Sequence, residues 1–253
     1  MSISENPYKL YPNLGYWFML FIPLTVAGFF FTYFTKLQMN PSLTHLHFAL
    51  MATWMGIVIT QPLLIHYRKT HLHRKVGKLS YVVVPLVILS TYLVMRQGYA
   101  NQLAAFESDF AEGVAPYTYE EGRMNIASFT ALPFVYLLWL TLFYGLAIGF
   151  RKLASFHARF MIAAVLTFMG PTVDRILFFG FDIATIGNGI PTETVSFVLI
   201  DLILGFLLIQ DLRKGKNPWP FGLALGLYIL VQIFYFTFTK TTSWQQFVNF
   251  MLY

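Results

Sequence analysis

The sequence has no cysteine and few charged residues, and both deficits exclude classes of protein. Without cysteine, the chain cannot form a disulfide framework, a thiolate metal site or a cysteine-ligated iron–sulfur cluster. Charged residues make up 11% of the 253 residues and hydrophobic residues 57%, whereas soluble domains carry about 25% charged residues. This composition excludes a water-exposed globular domain and a disordered chain. The mean hydropathy of +0.61 predicts that lipid surrounds most of the surface.

Several catalytic and binding motifs are also missing from the sequence. It has no phosphate-binding glycine loop, no serine nucleophile elbow and no HExxH zinc motif. The last apolar run, 218–239, contains no lysine, which disfavours retinal attachment. The net charge of +6 comes from basic residues in short connections, a pattern that indicates membrane topology and no nucleic-acid partner.

Seven apolar runs predict an all-α integral membrane protein, a bundle of seven transmembrane helices in one domain over 1–253. Each run is close to the roughly 20 residues that a spanning helix needs. A β-barrel would show segments of alternating polarity, which these runs lack. The predicted spans are about 15–36, 43–66, 77–97, 125–150, 157–180, 192–211 and 218–239.

Lysine and arginine are distributed unevenly between the two sets of connections. Twelve lie in one set and five in the other. Because cytoplasmic loops are enriched in these residues, the first set is predicted to be cytoplasmic. The N-terminus is then cytoplasmic, and the C-terminus and the acidic connection 98–124 lie outside. The predicted location is the cell inner (plasma) membrane, with lipid as a partner.

Four histidines lie at the predicted cytoplasmic ends of the helices. Neutral imidazole is the commonest metal ligand and also an axial ligand of haem iron. His73 and His157 share a depth on different helices and could bracket a haem b, with Arg74 near its propionates. The alternative is that these histidines only anchor the helix ends at the interface. The predicted metal ligands are His66, His71, His73 and His157, and the predicted cofactor-binding residues are His73, His157, Gln61 and Arg74.

A second polar layer is predicted near the outer ends of the helices. His157 and Arg175 are 18 residues apart, which is about five turns, so Arg175 continues the same helix face. Asp201 lies deep in the sixth run and is expected to pair with Arg175, because an unpaired carboxylate there is costly. The pair could be purely structural. The predicted outer pocket consists of His45, His47, Asp174, Arg175 and Asp201.

Spaced residues on the second to sixth runs resemble a widespread bacterial family of multi-pass membrane proteins known only as a domain of unknown function. The resemblance rests on the run HRKVGKLSY, on His157 with Met161 and Arg175, and on His47 with Gln61-Pro62. It implies no activity. A fainter similarity runs to the ascorbate-reducible b-type membrane cytochromes, through His73 and Gly77 at a helix start. That similarity implies a haem site.

Three functions remain open on these observations. The first is binding of haem b or a transition metal ion for membrane electron transfer, with quinone or another membrane redox protein as partner; the chain would then be a membrane oxidoreductase. The second is a transporter or small-ligand binder that uses His47, Arg175 and Asp201 in an outward pocket. The third is an accessory subunit or assembly factor of a membrane complex.

Overall fold

The computed structural model describes residues 7–253, without the side chains of Pro7 and Lys9. Nearly all of this part is helical, and the helices are numbered in chain order. They are α1 (Pro7–Leu10), α2 (Leu14–Met19), α3 (Phe21–Phe29), α4 (Ser42–His66), α5 (Thr70–Ala111), α6 (Tyr119–Gly149), α7 (Ala154–Leu166), α8 (Met169–Arg175), α9 (Glu193–Arg213), α10 (Trp219–Phe238) and α11 (Thr242–Leu252). A 3-10 turn at Phe34–Lys36, a π-helical turn at Ile176–Gly180 and the strands β1 (Thr185–Ile186) and β2 (Ile190–Pro191) complete the chain.

Six segments in residues 7–253 are long and apolar enough to cross a membrane. They are α4, α5, α6, α9, α10 and the combined segment Ala154–Gly180. Much of each segment faces outward, and large apolar side chains such as Leu202, Phe206 and Leu230 are more than 60% exposed. Unpaired apolar surface on this scale is stable only against lipid. The prediction of an all-α, multi-pass membrane protein is therefore confirmed.

The first apolar run, 15–36, does not form one continuous helix. It divides into α2 and α3 at Leu20 and ends in a 3-10 turn. Together α2 and α3 cover Leu14–Phe29, about 24 Å at the helical rise and short of the roughly 30 Å apolar layer. A seventh crossing and the orientation of the termini stay predictions.

The predicted third span, 77–97, is much shorter than the helix that contains it. α5 has 42 residues and is about 63 Å long, so it extends well beyond a bilayer. The acidic connection predicted at 98–124 is therefore mainly the end of α5 and the start of α6. Thr118 and Glu121 form a capping box that begins α6, which satisfies its first backbone N–H groups.

The predicted fifth span, 157–180, is interrupted. α7 ends at Leu166, α8 follows after a two-residue turn, and the π-helical turn leads into the β1–β2 hairpin. Pro171 lacks the N–H that would bond to the preceding turn. That Arg175 lies on the same helix face as His157 stays a prediction.

The core that holds the bundle together is aromatic. Trp139 and Tyr228 have ring centroids 4.3 Å apart, and Phe143 stacks on Tyr228 at 4.9 Å. The Tyr228 hydroxyl donates to the Ala163 carbonyl oxygen at 2.8 Å. Since these residues come from α6, α7 and α10, one buried layer fixes the three helices together.

Candidate functional site

A cavity of about 460 Å³ lies between α2, α4, α5 and the α6–α7 junction. We call it the histidine cavity. Its wall is mainly apolar, with side chains such as Phe18, Ile57 and Val165. Its volume lies in the range of small-molecule and cofactor pockets. The polar and charged residues that line it include Trp54, Gln61, His73, Arg74, Lys78, Ser80, Arg151 and His157.

His73 and His157 are both held by backbone carbonyl groups at the starts of their helices. His73 Nδ1 lies 3.3 Å from the Gln61 carbonyl oxygen, and His157 Nδ1 lies 2.8 Å from the Ala147 carbonyl oxygen. A carbonyl oxygen can only accept, so each Nδ1–H must donate. In the neutral imidazole this leaves a lone pair on each Nε2, the arrangement usual in metal-ligating histidines.

The histidine cavity brings together the four residues predicted to bind a cofactor. His73, His157, Gln61 and Arg74 all line it, and the charges of His73 and His157 are close enough to interact. Gly77 lies beside them, and a Cβ there would be 3.5 Å from Gln61 Oε1. Whether these residues bind a cofactor stays a prediction.

The other two predicted metal ligands lie outside the histidine cavity. His66 Nδ1 bonds to the Pro12 carbonyl oxygen at 2.8 Å, and His71 is exposed. His71 and His73 are two residues apart on α5, about 200° around the helix, so they face different directions. Within residues 7–253 no group of three or more His, Cys, Asp or Glu side chains is placed to hold a metal ion. The predicted four-histidine metal cluster is therefore not assembled.

Two buried hydrogen-bond donors line the histidine cavity without a protein partner. Gln61 Nε2 and Trp54 Nε1 form no hydrogen bond to any atom of the described residues. Buried donors are costly when unpaired. Arg74, Lys78 and Arg151 are exposed at the edge of the cavity and suit a negatively charged group.

The predicted outer pocket is only partly assembled. His47 and Arg175 are close enough for their charges to interact, but His45 bonds to the Tyr33 hydroxyl at 2.9 Å. Asp201 accepts a hydrogen bond from Gln232 Nε2 at 3.1 Å.

Arg175 takes partners other than Asp201. Its Nη1 donates to the Pro171 carbonyl oxygen at 3.3 Å, and its guanidinium lies 4.7 Å from the centre of the Phe29 ring. The predicted Arg175–Asp201 ion pair is therefore wrong, because Arg175 contacts its own helix and α3 while Asp201 bonds to Gln232 on α10.

Asp174 belongs to a buried polar group that sequence reasoning did not identify. The Tyr136 hydroxyl donates to Asp174 Oδ2 and lies 3.4 Å from Ser196 Oγ. The Tyr235 hydroxyl donates to Glu193 Oε1 at 2.6 Å. We call these residues the carboxylate cluster: Tyr136, Asp174, Glu193, Ser196 and Tyr235.

A buried ion pair was also missed. Arg159 Nε donates to Asp211 Oδ2 at 2.6 Å, and both side chains are almost fully buried. Arg159 lies two residues after His157 inside an apolar run, so its charge in that position was the available signal.

Comparison of the chain with known protein families, curated proteins and solved structures returned no match. Function is therefore inferred from the residues of the site.

Proposed function

We propose that the histidine cavity binds haem b between His73 and His157, and that the chain takes part in electron transfer within the membrane. The observation that carries this proposal is the pair of Nδ1–H bonds to the Gln61 and Ala147 carbonyl oxygens. These bonds fix the tautomer and orientation of both rings and leave both Nε2 atoms available as ligands.

The number of imidazoles favours haem over a bare metal ion. Structural and catalytic zinc sites need three or four protein ligands, and the histidine cavity supplies two imidazoles. A porphyrin would supply most of the iron ligands itself, so the two imidazoles of His73 and His157 would be enough to hold it. When bound, haem would supply one-electron redox chemistry.

The remaining residues of the cavity support the same ligand. The apolar wall suits the macrocycle and excludes water, which raises the strength of polar contacts inside. Arg74, Lys78 and Arg151 at the edge would pair with the propionates. A lipid-soluble quinol is the class of electron donor that reaches such a site from the bilayer.

The orientation of the chain is part of this proposal. The end of the bundle with the histidine cavity also holds most lysines and arginines, so we place it at the cytoplasmic side of the inner membrane.

Visible absorption of detergent-purified protein from haem-supplied cells tests the proposal. We expect a Soret band and, after reduction, the sharp α band of a low-spin haem. His73→Ala and His157→Ala should each abolish or strongly shift the reduced α band. The matched control is His71→Ala, because His71 is exposed on the same turn of α5 and should leave the spectrum unchanged. Wild-type protein that stays colourless and does not bind added haemin would refute the assignment.

A further inference from the structure

The carboxylate cluster shares no residue with the lining of the histidine cavity and has no role in the proposed haem site. Asp174 and Glu193 are 3% and 7% exposed, within two membrane-spanning segments. Ionisable residues in such positions are costly and usually functional. The two carboxylates flank the break in the span, since Asp174 comes two residues before the π-helical turn and Glu193 comes two residues after β2. Such breaks are tolerated only where the backbone is covered by protein or lines a site.

One oxygen in the cluster has no hydrogen-bond partner. Asp174 Oδ2 accepts from the Tyr136 hydroxyl, but Asp174 Oδ1 is buried and makes no hydrogen bond within residues 7–253. Tyr235 donates to Glu193, and Ser196, three residues later on α9, lies 3.4 Å from the Tyr136 hydroxyl that donates to Asp174. Two ionised carboxylates in one buried cluster would repel each other, because their surroundings solvate charge poorly.

The charged groups around the cluster do not balance two negative charges. Arg175 is the neighbour of Asp174 on α8, and its guanidinium faces Phe29 and the Pro171 carbonyl oxygen. His47 on α4 hydrogen-bonds Ser90 at 3.0 Å. One guanidinium against two carboxylates leaves an excess of one negative charge.

We propose that the carboxylate cluster is a proton-binding site within the apolar layer, in which Asp174 and Glu193 together hold one exchangeable proton. The proton comes from water and adds to a carboxylate oxygen, with Asp174 Oδ1 as the available position. It neutralises the excess charge, so one ionised carboxylate remains opposite Arg175. A metal cation fits this site less well, because two carboxylate oxygens already accept hydrogen bonds. Tyr136 donates to Asp174 Oδ2, and Tyr235 donates to Glu193 Oε1. Sites of this kind relay or store protons in membrane proteins.

Infrared difference spectroscopy in H₂O and D₂O tests this site, because the carbonyl stretch of a protonated carboxyl group is separate from carboxylate bands. Wild-type protein at neutral pH should show this stretch, with a downshift in D₂O. Asp174→Asn should remove it or shift it strongly. Tyr136→Phe keeps the carboxyl group and removes its hydrogen bond, so the band should move to higher frequency; this variant also guards against misfolding of Asp174→Asn.

The matched control is Asp182→Asn, an exposed acid just beyond the π-helical turn. Asp182 has a φ of 55°, a conformation that asparagine adopts readily, so its replacement should leave the band unchanged. The proposal is overturned if wild-type protein lacks the carbonyl stretch of a protonated carboxyl group at neutral pH. It is likewise overturned if this band is unchanged in each of the two single variants, Asp174→Asn and Glu193→Gln. It is also overturned if sodium removes the band, since the site would then hold a cation.

Discussion

Replacing Gly28 with alanine tests how closely the first helices pack on the broken span. A Cβ at Gly28 would lie 2.6 Å from the Thr172 carbonyl oxygen and 2.9 Å from the Thr172 Cα. Ordinary contacts of a Cβ begin near 3.4 Å, so α3 and α8 must separate by about 0.8 Å at this point. The atoms in the way are backbone, which cannot rotate aside as a side chain does. Overpacking of this kind costs about 1–3 kcal/mol.

The control is Gly145→Ala, in the interior of α6, where a Cβ meets no atom within 4 Å. Replacing glycine with alanine stabilises a helix by up to about 1 kcal/mol. Both variants share this gain, so it cancels when their free energies of unfolding are compared. The free energy of unfolding of Gly28→Ala should therefore be about 1–3 kcal/mol below that of Gly145→Ala. Chemical denaturation in mixed detergent micelles, followed by tryptophan fluorescence, measures both. Equal stability of the two variants would show that α3 does not pack on α8 as described.

Three further substitutions test the core, the ion pair and the cavity. Tyr228→Phe should lower the free energy of unfolding by about 1 kcal/mol, because the Ala163 carbonyl oxygen loses its 2.8 Å partner; an unchanged denaturation midpoint would contradict this bond. Asp211→Asn keeps the shape but removes the charge opposite Arg159, and the same assay should show a loss of about 1.5–3 kcal/mol. Gly77→Leu should place a branched side chain in the histidine cavity. We expect it to abolish haemin binding in a spectroscopic titration and to leave the denaturation midpoint near that of the wild type. Undiminished haemin binding would place the ligand elsewhere.

Helix positions were largely predictable, and helix ends were not. The run 43–66 predicted α4 to within one residue, because apolar length directly reports a crossing. Apolar length did not reveal that 15–36 divides into α2 and α3 at Leu20, close to Pro23. α5 extends past its apolar part because residues 98–111 pack on α6 outside the apolar layer, and hydropathy does not detect such contacts.

The candidate site was predictable where it depends on which end of the bundle a residue occupies. His73 and His157 each begin a helix at the same end of the bundle, so chain order alone brought them to one depth. The pairing of Asp201 was not predictable, because it depends on how each helix is rotated against its neighbours. Glu193 was missed because it stands at the edge of an apolar run, where a charge usually faces solvent. The sequence Gly170-Pro171 was a usable signal for the break in the fifth span.

The great length of α5 has a practical consequence for imaging. A 29.1 kDa chain with six apolar membrane-spanning segments offers few features for particle alignment. The α5–α6 hairpin projects from that belt and turns at Gly113, which has a φ of 74° and open space around it. A folded domain inserted at this turn would be attached to two packed helices and not to a flexible loop. It would therefore give a rigid reference for aligning particle images.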